Sequence, residues 1–257
     1  MKNIIPKNMT IYFANIAGGS LFGALLAWIL MLWVKVFVKE VYAAAPENSA
    51  KFSFDSNSIN IPDWVIIAVM TITTGVIAWW RQWNPEFFSD IILVTALVGV
   101  ALIDRKTMLI EGRLIALAIT LRLCWLLYFA PQDILNSLSG LLIGAGLLFF
   151  VGFLYETFRH RQGLGEGDAA VLGLIGMWVG WQGLGAVLLI AAVTGIIIGG
   201  ISLLKNREKN QEYFALLQTQ IPFAPYLCLA GLTVFLLQET GSQKFVYSFD
   251  YFLQIIN

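Results

Sequence analysis

Gly163-Leu164-Gly165-Glu166-Gly167-Asp168 leads straight into Ala169-Ala170-Val171-Leu172-Gly173-Leu174-Ile175. Three glycines in five residues resist a regular helix, because each gives up more backbone freedom there than any other residue. They let the backbone bend sharply and let a ligand come close. The stretch ends on a carboxylate, and the apolar run starts at once. An acid at the mouth of a membrane helix needs a reason. Asp104, 64 positions earlier, points to one, because it closes a second apolar block at 91–103.

Outward from this stretch the chain is mostly apolar. Of its 257 residues, 58% are hydrophobic and only 12% charged, whereas a soluble domain carries about 25% charge. The mean hydropathy is +0.76. The apolar blocks are helix-sized, unlike the alternating ten-residue segments of an outer-membrane barrel. The expected fold class is therefore an all-α polytopic integral membrane protein with the lipid bilayer as its solvent. Net charge is zero, which gives no sign of a nucleic-acid partner. Cys124 and Cys228 each stand alone in apolar runs, and His160 is the single histidine. A structural zinc site, a disulfide framework or a metal cofactor is not expected.

About eight transmembrane helices are expected. The first block, 11–34, is too long for a signal-peptide core of about 7–15 residues. Ala43-Ala44-Ala45 looks like a cleavage site, but Lys35, Lys39 and Glu40 intervene, and the block reads as a retained span. Residues 35–62 form a mixed polar segment with Pro46 and Pro62. Further spans are expected at 64–80, 88–103, 114–130, 135–155, 169–181, 184–204 and 223–237, with a charged loop from Asp104 to Arg113. The block at 169–181 would give only about 20 Å of helix, short of a hydrocarbon core of about 30 Å. It is read as thinned, tilted into a cavity or partly re-entrant. The aromatic tail, 238–257, suits the membrane interface. The chain thus divides into 1–62, a first span with a short cytoplasmic segment, and 63–257, a membrane-embedded core.

With the N-terminus outside, eleven of the 16 Lys and Arg residues fall on inner segments and four on outer ones. That excess follows the positive-inside rule and puts the Asp104 loop and the Asp168 stretch on one cytoplasmic side. Lys2 and Lys7 argue against this orientation.

Ionisable residues in membrane helices are costly and usually functional or paired. Two carboxyls packed together cannot both ionise easily and would share one proton. One then takes a proton from water while the other donates to a carbonyl oxygen. This chemistry needs neither a metal nor a nucleophilic side chain. A structural reading competes with it: Asp168 as the N-cap of a helix starting at Ala169, and Asp104 as a solvated charge beside Arg105 and Lys106. The glycines favour function, because an N-cap does not require three of them before it.

Gly165-Glu166-Gly167-Asp168 resembles the G-x-G-D motif of intramembrane aspartyl peptidases, and the wider frame resembles the type IV prepilin peptidase (leader peptidase) family. Ala101-Leu102-Ile103-Asp104 is similar to that family's A-x-I-D entry to its first catalytic acid. The stretch from Gly163 to Trp181 is similar to its glycine-rich pattern, and Ile221-Pro222-Phe223-Ala224-Pro225-Tyr226 to its I-P-F-G-P-F signature. Gly18-Gly19-Ser20-Leu21 weakly resembles a Gly-Ser element of its first helix. The resemblance covers most of 11–238, in the family's order. It implies a cytoplasm-facing peptidase of the inner membrane, with Asp104 and Asp168 as the water-activating pair and Gly165 and Gly167 admitting the substrate. That substrate would be a prepilin or pseudopilin precursor with a short basic leader.

Three features depart from the family pattern. Ile110-Glu111-Gly112 stands where Leu-Pro-Asp is usual, and Ala170 where a lysine is common. Residues 35–62 hold no cysteine, while many members carry paired Cys-x-x-Cys motifs there that are linked to N-methylation, so methyl transfer is in doubt. A presenilin-type protease is the enzyme alternative, but those place Tyr before the first aspartate and this chain has Ile103. A catalytically inactive membrane scaffold or pilus-assembly factor is the alternative of another class.

Overall fold

The computed structural model describes residues 7–44, 63–159, 165–207 and 223–239. All its regular elements there are helical. Six helices are long and apolar enough to cross a membrane, and Ala224–Gln238 is a shorter apolar helix. The chain divides into two compact units, Met1–Thr107 and Met108–Asn257.

The first unit holds α1 (Lys7–Ala44), α2 (Asp63–Arg81) and α3 (Pro85–Thr107). At 38 residues, α1 is about 57 Å long at 1.5 Å per residue. It outruns the bilayer, so Lys35, Lys39 and Glu40 continue the helix rather than opening a linker. Residues 45–62, the rest of the expected polar segment, lie outside the described residues. Small residues bring α1 against α2. A Cβ on Gly19 would stand 2.9 Å from the carbonyl oxygen of Thr74, and one on Gly23 2.9 Å from that of Met70. Such contacts let helix backbones approach where lipid supplies no hydrophobic drive. The Gly-Ser element noted in the first helix therefore has a packing role.

The turn between α2 and α3 is tight, with Gln82 and Trp83 at φ 49° and 62°. Arg81 Nε donates to Asp90 Oδ2 at 2.8 Å, and Arg81 also pairs with Glu86. Asp90 is buried, so this pair fixes the corner from inside the unit.

The second unit opens on a short loop at 108–111. Then come α4 (Gly112–Phe129), a 3-10 turn (Pro131–Asp133), α5 (Ile134–Arg159), α6 (Glu166–Arg207) and α7 (Ala224–Glu239). Glycines again set the packing. A Cβ on Gly144 would stand 2.6 Å from the carbonyl oxygen of Leu172, and one on Gly173 would be 3.1 Å from that of Leu141. The backbones of α5 and α6 therefore nearly touch.

Eight spans were expected, and in α6 the blocks read at 169–181 and 184–204 are two helical arms that meet at Gly180, with φ 75° and ψ 168°. That backbone region is open essentially to glycine alone. A Cβ on Gly176 would stand 3.2 Å from Leu184 Cδ2, whereas eight residues of straight helix span about 12 Å. Both arms lie along α7. Gln238 Nε2 donates to the Val179 carbonyl at 3.1 Å. Farther along α7, Gly231 meets Ile175 of the first arm and Tyr226 meets Gly195 of the second. The chain therefore folds back at Gly180. Val171, Leu172, Leu174 and Ile175 of the first arm are fully buried, so protein surrounds this short arm, which has little need to match the lipid thickness.

Candidate active site

Asp104 lies within α3, in its last turn, rather than in a loop as expected. The helix continues to Thr107, whose hydroxyl donates to the Ile103 carbonyl at 2.9 Å. Arg105 and Lys106 sit in the same turn, where cations suit the negative end of the helix dipole. Ile103 and Leu102 are held in an apolar cluster with Leu30, Val34 and Ile66. Asp104 itself is only 5% exposed, which rules out the reading of it as a solvated surface charge.

Asp168 lies in the second unit, in the first turn of α6, and is half-buried. The helix already includes Glu166 and Gly167, so Asp168 is inside it and does not cap a helix starting at Ala169. Its backbone N–H donates to the Gly165 carbonyl at 3.0 Å. A Cβ on Gly165 would stand 3.5 Å from Asp168 Oδ2, an ordinary contact, and Gly165 is exposed. Ala169 is buried and Ala170 half-buried. Gly163, Leu164, His160, Arg161 and the Ile221-Pro222 half of the second signature lie outside the described residues.

Gly167 packs against the loop that precedes α4. A Cβ there would stand 2.6 Å from Ile110 Cδ1 and 2.7 Å from Ile110 Cβ. The chain's own side chain occupies that space. Ile110 belongs to the segment that departs from the family pattern, and its neighbour Glu111 has a defined role. Glu111 is buried and is the N-cap of α4, with its carboxylate accepting from Arg113 N at 3.2 Å. The acid of this segment therefore builds the loop beside α6. Elsewhere in the unit, the Arg122 guanidinium lies 4.8 Å from the ring centre of Trp125 and 5.0 Å from that of Trp178. Among the described residues, no group of three or more His, Cys, Asp or Glu is placed to hold a metal ion.

These features define an all-α polytopic membrane protein in which the buried Asp104 and the half-buried Asp168 lie near the ends of apolar helices. Residues 91–200, which include Asp104 and Asp168, match the type IV leader peptidase family, and this part of the chain carries that family's domain. It is 30% identical to a prepilin leader peptidase/N-methyltransferase of Xanthomonas campestris pv. campestris over 73% of this chain and 62% of the relative. It is also 31% identical to one of Pseudomonas aeruginosa over 62% of this chain and 53% of the relative. A third, of Aeromonas salmonicida, is 30% identical over 65% of this chain and 52% of the relative. The chain thus spans between about half and three fifths of the length of these curated relatives. No solved structure matches it.

Proposed function

We propose that this protein is an aspartyl endopeptidase of the inner membrane that removes basic leader peptides from prepilin or pseudopilin precursors at the cytoplasmic face. Asp104 and Asp168 are the two acids: the ionised one deprotonates the attacking water and the protonated one donates to the scissile carbonyl oxygen. Gly165 gives the substrate backbone access to Asp168. The observation that carries this reading is the family match over 91–200, a range that includes both acids. The burial of Asp104 adds support, because a carboxyl withheld from water within a membrane helix is expensive without a task.

The relatives are named for two activities, leader peptidase and N-methyltransferase. We propose only the first for this chain, because residues 35–62 contain no cysteine. The scaffold alternative drew on Ala170 and on Ile110-Glu111-Gly112. The second part of that support weakens, since Glu111 keeps a buried acid in the altered segment. The test is to incubate the purified protein with a prepilin-type precursor and sequence the new N-terminus. Cleavage directly after the basic leader is expected. An intact precursor, across several pilin-like substrates, would favour the scaffold.

A further inference from the structure

We propose that Ile110 is a positioning residue for Asp168, acting through the bare backbone of Gly167; this rests on the peptidase reading above. Gly167 immediately precedes Asp168 in the first turn of α6. An added Cβ there would meet Ile110 Cδ1 at 2.6 Å, Cβ at 2.7 Å and Cγ1 at 3.0 Å. Three atoms along one side chain therefore face the same backbone position. The closeness of the Ile110 Cβ decides the matter. A Cδ1 can swing aside, but a Cβ moves only with its own backbone.

That backbone is held from behind. Glu111, the next residue, is buried and caps α4 by accepting from Arg113 N. On the other side, Met108 turns the chain at φ 52°. Ile110 is β-branched and so stiff at its first torsion. A short anchored loop thus presses a stiff side chain onto the α6 backbone one residue before the acid. The second tether is the Asp168 N–H to Gly165 carbonyl bond. Together the two hold the first turn of α6 and direct the Asp168 carboxyl. The glycine of the motif here accommodates the protein's own loop, and that accommodation links the 110–112 segment to the chemistry at Asp168.

The test uses the full-length purified protein and a prepilin-type precursor, with Gly167→Ala, Ile110→Ala and the double variant. Gly167→Ala forces loop and helix apart. Its kcat should fall roughly 10²-fold, as displacements of about 1 Å do, with KM little changed. Ile110→Ala alone should lower kcat less. The double variant makes room for the new methyl and should regain most of the Gly167→Ala loss.

A second readout does not depend on cleavage: the rate at which a water-soluble carbodiimide modifies Asp168, followed by peptide mass spectrometry. Gly167→Ala should change that rate and the double variant should restore it. A double variant no better than Gly167→Ala, or a Gly167→Ala protein like wild type in both readouts, overturns the proposal. If wild type cleaves no precursor, the peptidase reading falls and the carbodiimide rates alone decide this one. If Gly167→Ala does not fold, Ile110→Ala decides it, because unchanged kcat and unchanged labelling there would exclude a positioning role.

Discussion

Replacing Gly144 by alanine tests how the arm carrying Asp168 is held. The new Cβ would stand 2.6 Å from the Leu172 carbonyl oxygen, 3.0 Å from its carbonyl carbon and 3.2 Å from Gly173 Cα. All three are backbone atoms, so no side chain can rotate to relieve the clash. To reach an ordinary contact of 3.4 Å, α5 and the first arm of α6 must part by about 0.8 Å. Overpacking of this kind costs about 1–3 kcal/mol. Leu172 lies four residues, one helical turn, beyond Asp168, so the shift should reach the acid. A misplacement near 1 Å can cost about 10²-fold in rate, and a loss of roughly 10–100-fold in kcat is expected. Gly146 is the internal control. It lies two residues along the same helix with nothing within 4 Å of an added Cβ, and alanine there should be neutral or stabilise by up to about 1 kcal/mol. The assay is thermal unfolding in detergent together with cleavage of a prepilin-type precursor. If Gly144→Ala unfolds and cleaves like Gly146→Ala, the close packing of α5 on α6 is not what positions the site.

Asp90→Asn should lower stability by about 1.5–3 kcal/mol, because it removes the buried one of the two carboxylates that pair with Arg81; an unfolding midpoint equal to wild type would contradict the role given to this pair. Asp133→Asn, at an exposed position, should leave unfolding and cleavage unchanged and is the better control for acid substitutions. Single cysteines at Lys106 and Gln162 should both resist an impermeant thiol reagent in intact cells, and labelling of one alone would break the shared cytoplasmic face. Mature substrate produced by this protein with a methyl donor present should carry an unmethylated N-terminus by mass spectrometry; a product one methyl group heavier would show that the missing cysteines do not matter.

Hydropathy located the membrane helices well but not their ends. It reports where lipid begins, and a helix need not stop there. Lys35, Lys39 and Glu40 are good helix formers and carry α1 past the membrane to Ala44. Arg105 and Lys106 likewise lengthen α3, which moves Asp104 from an expected loop into a buried turn. The reversal between the spans at 169–181 and 184–204 was legible, but the residue that makes it was not. Gly173, Gly176 and Gly183 stand nearby, and only the backbone angles tell which glycine turns the chain. The two acids stood out in the sequence because local motifs surround each of them. The partner of Gly167 did not, because Ile110 lies 57 positions earlier and no periodicity links the two.

The central claim is that Asp104 and Asp168 act on one step as an acid pair, and cleavage of a prepilin-type precursor by Asp104→Asn, Asp168→Asn and the double variant tests it most directly. Asparagine keeps the size of each side chain and removes its ability to exchange a proton. Each single variant should insert, fold and lose cleavage, and the double variant should be no worse than either, since residues acting as a unit are not additive. Cleavage near the wild-type rate by either single variant would contradict the aspartyl mechanism for this chain.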